Sequence, residues 1–349
     1  MGARPTIGVL TPWIGGPYFG SIFKGIARAA ATAGARVIVS QTVDIDTLDY
    51  NPPFFPDYHH EISWDRVDGC IVLLNAVDPD YLRALREAGK PLVFVSSDTA
   101  LDDCPVVLPD NYGGVRRAVR HLVDHGHHRI AFAGNLRERD IRERHTAYLD
   151  ELRGCGIEPD PDLMFDTGGN VIDGGHRAAQ AMLDAGLPST AVMAGTDLNA
   201  VGLIQSLVAA GHRIPRSQAV VGFDDCPWAV FQRPGLSTVR QPTDGIGVRA
   251  AELVMALLAG EEVPTGPVHL PTPFVARQSC GCPAASTAPG PEDPARPWSR
   301  ERFVAELGEV FDLERLGRGA HLAAVPRMAE VIAEAVEATA LGLPPVDLT

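Results

Sequence analysis

The chain has 349 residues, with 30 Lys and Arg against 44 Asp and Glu, a formal charge of −14 and a pI near 5.2; this balance repels a phosphate backbone rather than attracting it. Hydrophobic residues make up 45%, mean hydropathy is +0.02, and no apolar run approaches the ~18 residues of a membrane span. The six cysteines lack a C-x-x-C pair, which suits a reducing compartment, and MGARPTIGVL leaves no room for a secretory signal, so a cytoplasmic protein is expected.

Residues 6–10 are the first predicted strand. The loop after it contains GGPYFG and leads into a helix with Ile22, Phe23, Ile26, Ala29 and Ala30 on one face, closed by Gly34. Residues 37–40 are the next strand, completing a βαβ unit and hence a parallel sheet. The loop has neither the G-x-G-x-x-G spacing nor a Walker lysine, and Tyr18 and Phe19 would obstruct a pyrophosphate, so it is not a phosphate cradle. NPPFFPDYHHEISW, within residues 41–65, predicts irregular backbone, and the adjacent His59 and His60 make a poor metal pair. A strand at 67–74, a helix at 80–88, a strand at 91–95 ending in Ser96, Ser97 and Asp98, and a strand at 106–108 follow.

A helix over 115–123 runs into DHGHHRIAFAGN. His121 and His125 are spaced i, i+4, which can bind zinc when a third ligand is supplied. Strand 130–133 precedes a helix for which Asp140 is the expected N-cap. Arg144 on that helix, among Arg137, Arg142 and Glu143, reads by its neighbours as part of a solvated face. Strands at 163–166 and 191–194 alternate with helices at 174–185 and 200–210. In QAVVGFDDCPWAVFQRPGLSTVRQP, the apolar run 219–223 stops at Asp224 and Asp225, at a strand's carboxyl end, where ligands bind in open α/β sheets. The same acids could instead cap a turn. After a Pro234-Gly235 turn, residues 236–240 are a strand, Gln241-Pro242 breaks it, and Ile246, Leu253, Val254 and Leu257 mark a helix. Strands at 268–270 and 274–277 lead to Cys280 and Cys282, a C-x-C too tight for a tetrahedral site without partners elsewhere. PAASTAPGPEDPARP is a linker by composition. Beyond it Phe303, Leu307, Val310 and Phe311 share one helical face and a second helix covers 328–338.

VVGFDD, PGLSTVRQP and GIGVRAAELVMALL, in that order, resemble the ligand-binding core of the LacI/GalR family of bacterial regulators, whose fold is that of type I periplasmic binding proteins. The resemblance covers residues 5–282. It implies an α/β protein of two doubly wound parallel-sheet lobes: residues 4–109 plus 242–270 as the N-terminal lobe, and 110–241 plus 271–282 as the C-terminal lobe. A linker (283–298) and a helical appendage (299–349) would follow, and the lobes would be joined by crossings near 108–111, 240–242 and 270–273. Carried over residue by residue, the resemblance implies a cleft lined by Tyr18, Phe19, Ser96, Ser97, Arg144, Asn170, Thr196, Asp224 and Gln241. The two aromatics could instead pack the helix start. Arg144 and Asp224 are expected on opposite walls, near solvent in the empty form. A glycine–histidine turn in this family merely joins helix to strand, so neither metal nor cofactor is expected.

The function implied is a small-molecule sensor for a sugar or nucleoside, working by lobe closure as a homodimer. Only about five residues precede the first strand, where the family carries its helix-turn-helix, so this chain alone is expected to bind neither nucleic acid nor membrane. An input domain of a larger signalling protein, such as a diguanylate cyclase or kinase, is an alternative. So is a hydrolase using the cleft, although no nucleophile–base pair, metal cluster or phosphate loop supports an enzyme.

Overall fold

Apolar runs punctuated by glycine and proline suit strands covered on both faces, and they form two six-stranded sheets in the computed structural model. The structure describes residues 4–43, 64–97 and 103–283, with residues 56, 58 and 101. His59, His60, Asp98, nearly all of the predicted linker and the helices predicted beyond it lie outside the described residues. The first sheet holds β1 (Thr6–Thr11), β2 (Arg36–Gln41), β3 (Gly69–Leu73), β4 (Leu92–Val95), β5 (Pro105–Pro109) and β11 (Gly266–Leu270). Its order is β11-β5-β4-β3-β1-β2, and every neighbouring pair is parallel.

The second sheet is built from β6 (Ile130–Gly134), β7 (Met164–Asp166), β8 (Ala191–Ala194), β9 (Ala219–Asp224), β10 (Ser237–Arg240) and β12 (Phe274–Val275). Its order is β12-β10-β9-β8-β6-β7, parallel except for the β10–β12 edge. Helices α1 (Gly16–Thr32), α2 (Pro79–Glu87) and α8 (Thr243–Leu258) accompany the first sheet. Those of the second are α3 (Asn111–Asp124), α4 (Arg139–Gly154), α5 (Ile172–Asp184), α6 (Asp197–Ala209) and the short α7 (Pro227–Phe231). Two α/β lobes result. Among the described residues no helix is long and apolar enough to cross a membrane.

Three crossings carry the chain between sheets: β5 to α3, β10 to α8, and β11 to β12. Hydrogen bonds tie two of them together. Asp110 N–H donates to the Leu270 carbonyl at 2.8 Å, the Thr272 hydroxyl donates to the Asp110 carbonyl at 2.7 Å, and Arg117 donates to the Thr272 carbonyl at 2.9 Å.

Some element ends differ from expectation for local reasons. The Asp110 carboxylate accepts from Gly113 N–H, which starts α3 at Asn111, four residues earlier than periodicity alone placed it. Asp140 is not the N-cap of α4. Glu138 holds that position without a side-chain bond, and Asp140 lies inside the first turn.

Where α1 and α8 cross, glycines let the backbones touch. A Cβ on Gly247 would lie 2.0 Å from the Ile22 carbonyl oxygen, and one on Gly25 2.0 Å from that of Asp244. Backbone cannot yield as a side-chain tip can, so Gly247→Ala should force the helices apart at a cost of about 1–3 kcal/mol. The expected result is a lower urea midpoint with an unchanged m-value; an unchanged midpoint would mean the crossing is loose.

Candidate functional site

At the carboxyl end of β9 the run Ala219–Phe223 is fully buried, and then the backbone changes. Asp224 has φ +132° and Asp225 φ +57°, left-handed conformations that non-glycine residues adopt at a cost of about 1–3 kcal/mol each. Ser96, just after β4 in the other sheet, also has a positive φ of +50°. The strain thus falls at the carboxyl ends of strands in both lobes, the edge that binds ligands in this class of sheet.

The two acids at this edge have different work. Asp225 accepts from Arg240 and from Arg277, each at 2.6 Å, and so clasps β10 to the segment after β12. Asp224 accepts from Gln241 Nε2 at 2.6 Å, and its backbone carbonyl accepts from Gln241 N–H at 3.1 Å. Gln241 is the first residue of a lobe crossing and is 8% exposed. Its Oε1 is buried and finds no donor in the protein.

Burial pushes the Asp224 carboxyl up to about 6, with Asp140 adding to the rise and Arg144 and Gln241 opposing it. Asp197, fully enclosed at the start of α6, is likewise pushed up to about 7 by burial and by its neighbour Asp224. Its carboxylate accepts from the Thr238 hydroxyl at 2.6 Å and from Cys226 N–H at 2.9 Å, a brace between β10 and the start of α7.

Arg144 corrects an expectation. It is 2% exposed rather than near solvent, with the guanidinium carbon 3.7 Å from the centre of the Phe223 ring. Nε donates to Asn111 Oδ1 at 2.9 Å, Nη1 to the Gly195 carbonyl at 2.7 Å, and Nη2 pairs with Asp140 at 3.0 Å. Each nitrogen already has a protein acceptor, so only one further N–H on each Nη remains for any other oxygen. Asn111 in turn donates to Glu143 at 3.0 Å. The residue at the first crossing therefore rests on α4 through two side chains.

From the first lobe, Tyr18 Oη lies 3.4 Å from Ser96 Oγ. Burial raises the Tyr18 phenol to about 12, the Ser96 hydrogen bond lowers it, and Asp140, Asp224 and Arg144 are close enough to act on it through their charges. Tyr18, Ser96, Asp140, Arg144, Asp224 and Gln241 thus form one polar cluster spanning both lobes. Ser97 is fully buried, and its carbonyl accepts from Arg139 at 3.3 Å across the same gap.

Three other candidates are placed differently. Phe19 is 5% exposed within the core of the first lobe, beside Ile22 and Ile26, so it packs the helix start and does not line the cluster. The Thr196 hydroxyl caps α6 by accepting from Asn199 N–H at 3.2 Å. Asn170 sits on a loop whose neighbours Gly169 and Val171 are held by Asn199 Nδ2, at 2.9 Å to each carbonyl, and its Oδ1 is buried without a protein donor. Sequence reasoning overlooked Asp197 and the role of Asn111. Asp197 stands three residues beyond the end of β8, at the start of α6, and Asn111 becomes a site residue only through its contact with a side chain 33 positions away.

A family model for a periplasmic binding protein-like domain matches residues 119–280. The HTH-type transcriptional repressor CytR of Escherichia coli (strain K12) is 29% identical over 262 residues, 75% of each chain. An HTH-type transcriptional regulator of Streptomyces limosus is 30% identical over 266 residues, 74% of this chain and 73% of the relative. Among solved structures, a LacI family transcriptional regulator from Enterococcus faecium with bound ribose matches with TM-score 0.66 and 26% identity, over 78% of this chain and 98% of its own. The alternation of strand and helix, the two parallel sheets and these matches agree: the chain belongs to the LacI family of transcriptional regulators, through their periplasmic-binding-protein-like domain.

Proposed function

We propose that this protein senses a small polyhydroxy ligand, of sugar or nucleoside class, bound between the lobes by Tyr18, Ser96, Asp224 and Gln241, and that it signals by lobe closure. The observation that carries this reading is Gln241. Its buried Oε1 is an acceptor that the protein leaves without a donor, beside a carboxyl whose charge is disfavoured, and both stand at a crossing between lobes. A ring bearing neighbouring hydroxyls would donate to Gln241 and Asp224 while its apolar face lies against Tyr18. A ligand tied to a hinge residue favours one lobe orientation over another, which is the condition for a conformational signal. Ribose in the Enterococcus relative is of the same chemical class. The regulator carries no chemistry in this reading, and it works as a homodimer.

The test is a thermal-shift screen of the full chain against monosaccharides, disaccharides and nucleosides, followed by chromatography of the incubated compounds. A ligand that binds only the folded state raises the melting temperature, by an amount equivalent to about 2.7 kcal/mol at a hundred times Kd. The expected result is stabilisation by one compound class without turnover. If none of the three classes stabilises the protein, or if the stabilising compound is consumed, the reading is wrong.

A further inference from the structure

We propose that His121, His125 and Cys282, with Cys280 as fourth ligand, form a zinc site that fastens the carboxyl end of the second lobe to α3. Taken separately, the two halves explain little, since an i, i+4 histidine pair lacks a third ligand and a C-x-C is too tight alone. The fold brings them together from positions about 160 residues apart in the chain. Cys282 Sγ lies 3.5 Å from His121 Nε2 and 3.6 Å from His125 Nε2, and Cys280 Sγ lies 3.2 Å from His121 Nε2. The ligand atoms of His121, His125 and Cys282 all fall within 4.8 Å of one another. Zinc bonded at about 2.1 Å to an imidazole nitrogen and about 2.3 Å to a thiolate, at the tetrahedral angle, sets N and S about 3.6 Å apart. Three of the four nitrogen–sulfur edges of that tetrahedron are nearly in place.

Both sides of the site are held by structure that does not depend on a metal. His121 is in the last turn of α3 and His125 is its C-cap, so one helical face presents both rings, their centroids 4.3 Å apart. A helix C-terminus carries partial negative charge, which favours a cation there. On the other side, the turn Gln278–Cys280 is pinned to the second sheet: Ser279 Oγ donates to the Val220 carbonyl at 2.6 Å, and Gln278 Oε1 accepts from Gly235 N–H at 2.9 Å. Gly281 then adopts φ +96°, a left-handed step that any side chain would strain. That step brings Cys282 back beside Cys280 and the two imidazoles. Phe274 closes one side, its ring centroid 4.6 Å from that of His121. Two thiolates and two imidazoles favour zinc among common ions over magnesium or calcium, which take oxygen ligands. Binding would release the thiol protons, so affinity should fall as pH falls.

The experiment uses the full chain, reduced, stripped with chelator, and titrated with zinc chloride or cobalt chloride. Expected are one ion per chain, a zinc-dependent rise in melting temperature, and cobalt spectra with tetrahedral ligand-field bands and a thiolate-to-cobalt charge-transfer band. His125→Ala, on an exposed ring, should leave the metal-free melt unchanged while weakening zinc binding at least tenfold. Cys282→Ser should abolish the charge-transfer band or cut its intensity by about half. Cys155→Ser, at the end of α4, is the control and should change nothing. Cobalt spectra lacking a thiolate band, spectra unchanged in Cys282→Ser, or a Cys280–Cys282 disulfide in freshly purified protein would overturn the proposal.

Discussion

Arg144→Ala should lower folding stability by about 3 kcal/mol, read as a lower urea midpoint in the protein without ligand. Truncation removes the donors to Asn111 Oδ1 and the Gly195 carbonyl, leaving buried acceptors unpaired at roughly 1–3 kcal/mol each when no water replaces them. It also removes the cation above the Phe223 ring and opens a cavity beside β9. The ion pair with Asp140 adds little, because Asp140 is 45% exposed and its charge is well solvated. Arg144→Lys keeps the charge but not the planar fork that reaches three acceptors, so it should recover less than half of the loss. Ligand affinity measured on the surviving folded fraction should fall as well, because Asn111 stands at a lobe crossing and loses its anchor. A melt indistinguishable from wild type would mean that Arg144 is held by the ligand rather than by the fold.

This outcome reverses what the sequence suggested, and the reason is physical. An arginine flanked by Arg142 and Glu143 on a polar helix reads as solvated, and only the arrival of Phe223 and Gly195 from other strands encloses it. The fold itself was readable. Parallel strands buried on both faces leave uninterrupted runs such as those at 92–95, 191–194 and 219–223, and each run lies in a strand. Five-residue α7 was missed, since Pro227–Phe231 is too short to show a period. Of the site, what could be seen locally was an acid at the end of a strand. What could not be seen was any residue defined by a distant partner: Asn111 through Arg144, Asp197 through Thr238, and the thiol–imidazole cluster assembled from α3 and the chain after β12.

Asp224→Asn separates the two roles of that acid. In the empty protein, burial raises the Asp224 carboxyl from 3.8 to about 6, so the folded state holds a proton between about pH 4 and 6 that the unfolded state has released. Stability from this group therefore increases as pH falls through about 6 and is lost as pH rises above it. Asparagine imitates the protonated form and can still accept from Gln241, so at pH 8 the variant should be more stable than wild type by about 1–2 kcal/mol, allowing for partial exposure. The difference should shrink as pH falls through 6, to about half by pH 5, and vanish only below about pH 4, where the unfolded state is protonated too. The comparison with the variant cancels His127 and His145, both lowered chiefly by burial and titrating in the opposite direction, whereas Asp197 shares in the gain, because the Asp224 charge is part of what raises it. Ligand binding should change the other way. A hydroxyl held by the charged Asp224 loses a charge-assisted hydrogen bond in the variant, and affinity by calorimetry at pH 8 should drop at least tenfold. A variant both more stable and weaker in binding is what a residue placed for ligand rather than for fold should give; a stability gap that does not change between pH 8 and 5 would show that Asp224 is charged throughout, and equal affinity would move the ligand away from β9.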